Sequence, residues 1–133
     1  WILDQDIPHP DGIKPTRMPF EQWKKVVLDF YNNSYGVDIV AVKNREYIGA
    51  TDIEVYPKSE PHKGWTGGLG VIREFRRKGI ATALKIKAIE SLLKKGITEI
   101  RTDNEENNPM YKINVAIGFK PVPFSLEYIK KLI

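Results

Sequence analysis

From Pro19 onward the apolar residues Phe20, Trp23, Val27 and Phe30 recur at steps of three and four, the spacing of one helix face. Proline suits a first helical position, and Asn32-Asn33-Ser34 with Gly36 breaks the pattern. Residues 37–42 then read as a strand, 43–46 as a hairpin connection, 47–55 as the partner strand and 57–64 as a loop. Residues 65–72 predict a further strand in spite of Gly67, Gly68 and Gly70; glycines inside a strand mark a bulge or a place where something approaches the backbone closely. The strongest signal follows at 80–93, where Ala81, Leu84, Ala88 and Leu92 form one stripe, widened by Ile80, Ile89 and Leu93, and Gly96 supplies a stop. Residues 97–102 predict a short strand and 108–117 a second helix ended by Gly118. Pro121 and Pro123 precede 124–129, which read as a final strand or strand pair, while Pro8, Pro10, Pro15 and Gly12 make residues 1–19 an extended lid or surface loop. The order is mixed α/β with a strand–loop–helix–strand unit at its centre.

Composition narrows the class. A chain of 133 residues that is 41% hydrophobic predicts one domain over 1–133. The absence of cysteine excludes disulfides, thiolate metal sites and a Cys–His nucleophile, and His9 and His62, in polar loops with proline, leave little for a metal. No stretch approaches the about 18 apolar residues of a membrane span and no secretion signal opens the chain, so the expected setting is cytoplasmic, without a membrane partner. The net charge of +4 is concentrated: between Val71 and Gly96 eight Lys and Arg face only Glu74 and Glu90, a local +6. A local cluster beside a glycine points to a small polyanionic ligand, whereas a nucleic-acid or membrane partner calls for a uniformly basic face. Lys85, Lys87, Lys94 and Lys95 read as solvated.

The segment Arg73-Glu74-Phe75-Arg76-Arg77-Lys78-Gly79 joins the glycine-rich strand to the strongest helix. A helix start leaves backbone N–H groups unpaired and carries partial positive charge, so it seats a phosphate or pyrophosphate; a solvated turn is the alternative. The Gly-Lys-Ser/Thr ending of a nucleotide-hydrolase loop is missing, and no Gly-x-Gly-x-x-Gly bridges strand and helix.

Arg76-Arg77-Lys78-Gly79-Ile80-Ala81 resembles the Arg/Gln-x-x-Gly-x-Gly/Ala signature of the GNAT superfamily, the acyl-coenzyme A dependent N-acetyltransferases. Val71-Ile72-Arg73-Glu74-Phe75 is similar to that family's lead-in, and Thr102, Asn107 and Gly118-Phe119 to its later strand, asparagine and Gly-Phe ending. The resemblance implies a mostly antiparallel central sheet with helices on both faces and a splayed-strand cleft. The family's opening strand is not found, so the expectation is a chain incomplete at its N-terminus, or a sheet edge covered by a homodimer mate or tandem domain.

The mechanism so implied is direct transfer from acetyl-coenzyme A to an amine of a small molecule or peptide. Val71 and Ile72 would offer main-chain groups to the pantetheine arm, one N–H there polarising the thioester carbonyl. Arg76, Arg77, Lys78, Gly79, Ile80, Ala81 and Thr82 would hold the pyrophosphate, and Asn107 would bond the cofactor near its arm. The cleft strand lacks the family's Glu, which leaves Asp52 and Glu54 on the neighbouring strand as candidate bases, with Glu105 and Glu106 as candidate binders of a cationic acceptor. The family's leaving-group Tyr falls on Asn114, and an amide donates a hydrogen bond without releasing a proton. Tyr111 is expected to pack. A non-catalytic coenzyme A binding domain is the alternative function.

Overall fold

The turn Asn44-Arg45, with both residues at positive φ (51° and 69°), folds the first two strands into a tight hairpin. A computed structural model describes residues 1, 3, 17–32, 35–104 and 108–122. Along them run α1 (Phe20–Tyr31), β1 (Tyr35–Lys43), β2 (Glu46–Val55), β3 (Lys63–Val71), a 3-10 turn (Arg73–Phe75), α2 (Ile80–Leu93), β4 (Glu99–Arg101) and α3 (Pro109–Ala116). The Pro-rich segment before Pro19, residues 105–107 with Glu105, Glu106 and Asn107, and the expected final strand at 124–129 lie outside the described residues, apart from Trp1, Leu3, Arg17 and Met18.

The sheet runs β1-β2-β3-β4, antiparallel across the first three strands and parallel between β3 and β4. The fold class is the mixed α/β one that the pattern predicts. The predicted stripe of α2 packs against one face: Ala88 and Leu92 meet Ile53 and Val55 of β2 and Ile97, with Val37, Ile39, Ile89 and Ile100 around them. Alternate residues of β1 and β2 therefore point to the other face, which α1 borders through Trp23, Val26, Val27 and Tyr31. A register shift after Ala41 inserts Ile48 as an extra residue of β2, so that Asp38 stands opposite Asp52.

The β3–β4 pairing is short. It spans only Lys63–Trp65 against Glu99–Arg101, after which Thr66 Oγ1 donates to Thr102 Oγ1 at 2.6 Å and the strands part. The fourth strand is shorter than the predicted 97–102 because Ile97 N–H closes the end of α2 on the Leu92 carbonyl and Thr98 N–H goes to the His62 carbonyl. β3 runs on to Val71 with no strand beside it on that edge among the described residues.

Candidate active site

The start of α2, where the sequence predicts a phosphate seat, is built on two residues at positive φ. Arg77 sits at φ 59° and Gly79, the N-cap, at φ 76°, and no side chain caps the helix. Ala83 N–H already reaches the Gly79 carbonyl at 3.0 Å, so the open donors are those of the first turn, from Gly79 to Thr82. Arg77 is exposed beside them. Lys78 folds back, its Nζ donating to the Glu74 carbonyl at 3.0 Å and lying 5.2 Å from the Phe75 ring centre. Arg76, expected to help hold the pyrophosphate, is anchored instead, donating from Nε to the Val71 carbonyl at 2.8 Å, and ties the loop to the strand end.

Of the two strand-end residues, Ile72 donates its N–H to the Ile48 carbonyl (2.9 Å), and its carbonyl accepts from Phe75 N–H (2.9 Å). Ladder groups alternate along an antiparallel strand, so Val71 N–H points away from β2, toward the splayed edge.

Between the parted strands lies a cleft of about 140 Å³, whose walls include Thr66–Leu69, Lys85, Thr102 and Asn104. Lys85, read from sequence as solvated, is only 3% exposed. Its Nζ donates to Asn114 Oδ1, and Asn114 Nδ2 donates in turn to Asn104 Oδ1. Thr102 Oγ1 reaches Asn104 Oδ1 at 3.3 Å, so one polar chain crosses the base of the cleft from Lys85 to Thr66. Burial lowers the Lys85 ammonium to about 8. The sequence held a signal for this residue: Lys85 falls on the stripe Ala81, Leu84, Ala88, Leu92, where a charge is out of place.

A larger pocket of about 490 Å³ opens on the opposite side, between α1 and the sheet. Asp38, Asp52 and Glu54 share its wall. Tyr31 donates its hydroxyl to Asp38, and Tyr56 donates to Glu54 Oε2 at 2.7 Å. Asp52 is placed differently, at the bulge where Thr51 pairs with Leu69 and Ile53 with Thr66; its Oδ1 accepts the Gly68 N–H at 2.9 Å. A Cβ on Gly67 would lie 1.8 Å from Asp52 Oδ2, which explains the glycine: the carboxylate lies against the backbone. Burial first, and Glu54 second, push Asp52 up to about 6. Thr51, Gly68 and Leu69 line both cavities, so the two meet at this bulge. Among the described residues no group of His, Asp or Glu could hold a metal ion, and no helix is long and apolar enough to cross a membrane.

The sheet splayed beside an uncapped, glycine-started helix leaves a cleft open next to unpaired backbone N–H groups. The chain belongs to the Acetyltransferase (GNAT) family, whose model matches residues 2–114, and acetyl-coenzyme A is its cofactor. Comparison with curated proteins gives no match. Among solved structures it is similar to the aminoglycoside acetyltransferase AAC(6')-Iy in complex with a coenzyme A bisubstrate analogue, at 19% identity and TM-score 0.68, over 86% of this chain and 82% of that one. An aminoglycoside acetyltransferase from an uncultured soil metagenomic sample, in complex with sisomicin, aligns at 20% identity and TM-score 0.67, over 98% and 84%. A predicted acetyltransferase from Clostridium acetobutylicum, with acetyl-CoA, aligns at 18% identity and TM-score 0.67, over 89% and 79%.

Proposed function

We propose that this protein transfers the acetyl group of acetyl-coenzyme A directly to an amine of a small molecule that carries more than one positive charge. The observation that carries this reading is the junction of the two cavities at Thr51, Gly68 and Leu69, with the half-buried Asp52 carboxylate beside it. In this reading the pyrophosphate rests on the open N–H groups from Gly79 to Thr82, flanked by Arg77 and Lys78, while Arg76 shapes the loop. The thioester arm runs along the splayed edge of β3, where the Val71 N–H faces its carbonyl.

The acceptor enters the larger pocket. Asp38 and Glu54, each oriented by a tyrosine, hold its distal ammonium groups, and Asp52 takes the proton of the attacking one. Asp52 is suited to that task because a carboxylate near 6 is ionised at neutral pH yet basic enough to accept a proton in the transition state. Two of the similar structures are named as aminoglycoside acetyltransferases, acting on polyamines of this kind. Coenzyme A release measured across mono-, di- and polyamines tests the reading, with lower KM expected as positive charge is added. An equal KM for neutral-tailed and polycationic amines would remove the polycation assignment, and cofactor binding without turnover of any amine would favour the binding-domain alternative that Asn114 raises.

A further inference from the structure

An N-acetyl transfer leaves coenzyme A as a thiolate, which needs a proton, and the position where the family resemblance places a tyrosine holds Asn114. Asn114 is fixed the wrong way round to help: its Nδ2 is engaged by Asn104, and only its carbonyl oxygen faces Lys85. That oxygen has no proton to give. Lys85, by contrast, brings three N–H bonds into the cleft wall, and Asn114 takes one. No carboxylate pairs with it among the described residues, and its Nζ lies 5.2 Å from the Phe119 ring centre. An ammonium that is 3% exposed is costly to bury without a counter-charge. An anion arriving in the cleft supplies one.

We propose, resting on the acetyl-transfer reading, that Lys85 donates the proton to the sulfur of the departing coenzyme A, with Asn114 as the residue that positions its ammonium. The amine lone pair forms the C–N bond, the C–S bond breaks with its electron pair going to sulfur, and one Nζ proton moves to that sulfur. Lys85 is left neutral and regains a proton from water, while the proton of the acceptor amine leaves through Asp52. Burial lowers Lys85 to about 8, and an ordinary thiol ionises at about 8.5, so the transfer is close to balanced. Of the other described residues lining this cleft, only Asp103 is charged.

The test compares coenzyme A with desulfo-coenzyme A, which keeps every contact except the sulfur, in binding calorimetry at about pH 8.5. Lys85→Met is expected to weaken coenzyme A roughly tenfold and to leave desulfo-coenzyme A within about twofold, because only the hydrogen bond between Nζ and sulfur is lost. Lys85→Arg keeps the charge but not a releasable proton, so it should keep the preference for coenzyme A and lose kcat by roughly a hundredfold, with KM for acetyl-coenzyme A little changed. In the wild type kcat should fall as pH rises through about 8, a limb absent from both variants. Lys85→Met removes a buried charge that no carboxylate among the described residues pairs, and leaves Asn114 Oδ1 without its donor; if it fails to fold, Lys85→Arg carries the test. Equal losses for both ligands, or wild-type kcat in Lys85→Arg, would overturn the proposal. A wild-type protein that prefers coenzyme A to its desulfo analogue but acetylates no amine supports the Lys85–sulfur contact and sinks the acetyl-transfer reading instead.

Discussion

Asp52, the proposed base, is held in a state that costs the fold at neutral pH. Its pKa is raised on folding from 3.8 to about 6, chiefly by burial, so the folded state binds a proton more tightly than the unfolded chain does. The stabilisation from that proton is full below pH 3.8 and is lost as pH rises through about 6. At neutral pH the ionised Asp52 is therefore a net cost to the fold. Asp52→Asn should raise stability by about 1–2 kcal/mol at neutral pH, a figure reduced for partial solvent screening. The same substitution should lower kcat by roughly 10²–10⁴ and abolish the rise of rate with pH near 6. Thermal melts and a pH–rate profile on one preparation check both halves; a variant that is both less stable and fully active contradicts the assignment. The candidate carboxylates Asp52 and Glu54 were legible in the sequence, because alternation puts them on one strand face. Asp38 was not. An unbroken ladder from Lys43↔Glu46 would set Asp38 opposite Thr51, on the wrong face, and only the extra residue Ile48 brings it opposite Asp52.

At the scale of elements, the α2 start acts through its backbone. Gly79 at φ 76° has open space around its absent Cβ, so an alanine there meets no clash and only backbone strain. Gly79→Ala should cost about 1–2 kcal/mol and weaken acetyl-coenzyme A binding by re-aiming the first-turn N–H groups, which calorimetry against Arg77→Ala measures. Arg77→Ala should instead weaken binding in a salt-dependent way, because it removes charge without moving the backbone. Leu92, fully buried between α2 and the sheet, tests the packing independently: Leu92→Ala should cost about 2–5 kcal/mol in denaturant melts. The boundaries of α2 follow from its sequence because stripe, start and stop agree there. The splay of β3 from β4 carries no such local mark, since it depends on where the chain after Arg101 turns and on which carbonyl Ile97 and Thr98 find.

Taken as a whole molecule, the protein has two entrances and one meeting point. The smaller cleft lies between the splayed strands and the larger pocket lies across the sheet, while Thr51, Gly68 and Leu69 belong to both. In the proposed reading both substrates are bound together, and with no cysteine in the chain there is no thiol to carry an acetyl group between two half-reactions. Initial-velocity plots should therefore intersect, and parallel lines would refute a ternary complex. The bulge is the shared wall, held by Thr51 Oγ1 donating to the Gly68 carbonyl at 3.1 Å and by Asp52 accepting the Gly68 N–H. Thr51→Val removes the first tie and keeps the shape. It should raise the KM for acetyl-coenzyme A and for the amine together, each by about threefold to tenfold, the loss expected for one modest hydrogen bond. A substitution confined to one cavity, such as Glu54→Gln, should raise the amine KM alone. If Thr51→Val moves only one of the two constants, the cavities do not share the bulge as a common wall, and the ternary geometry must be drawn elsewhere along β3.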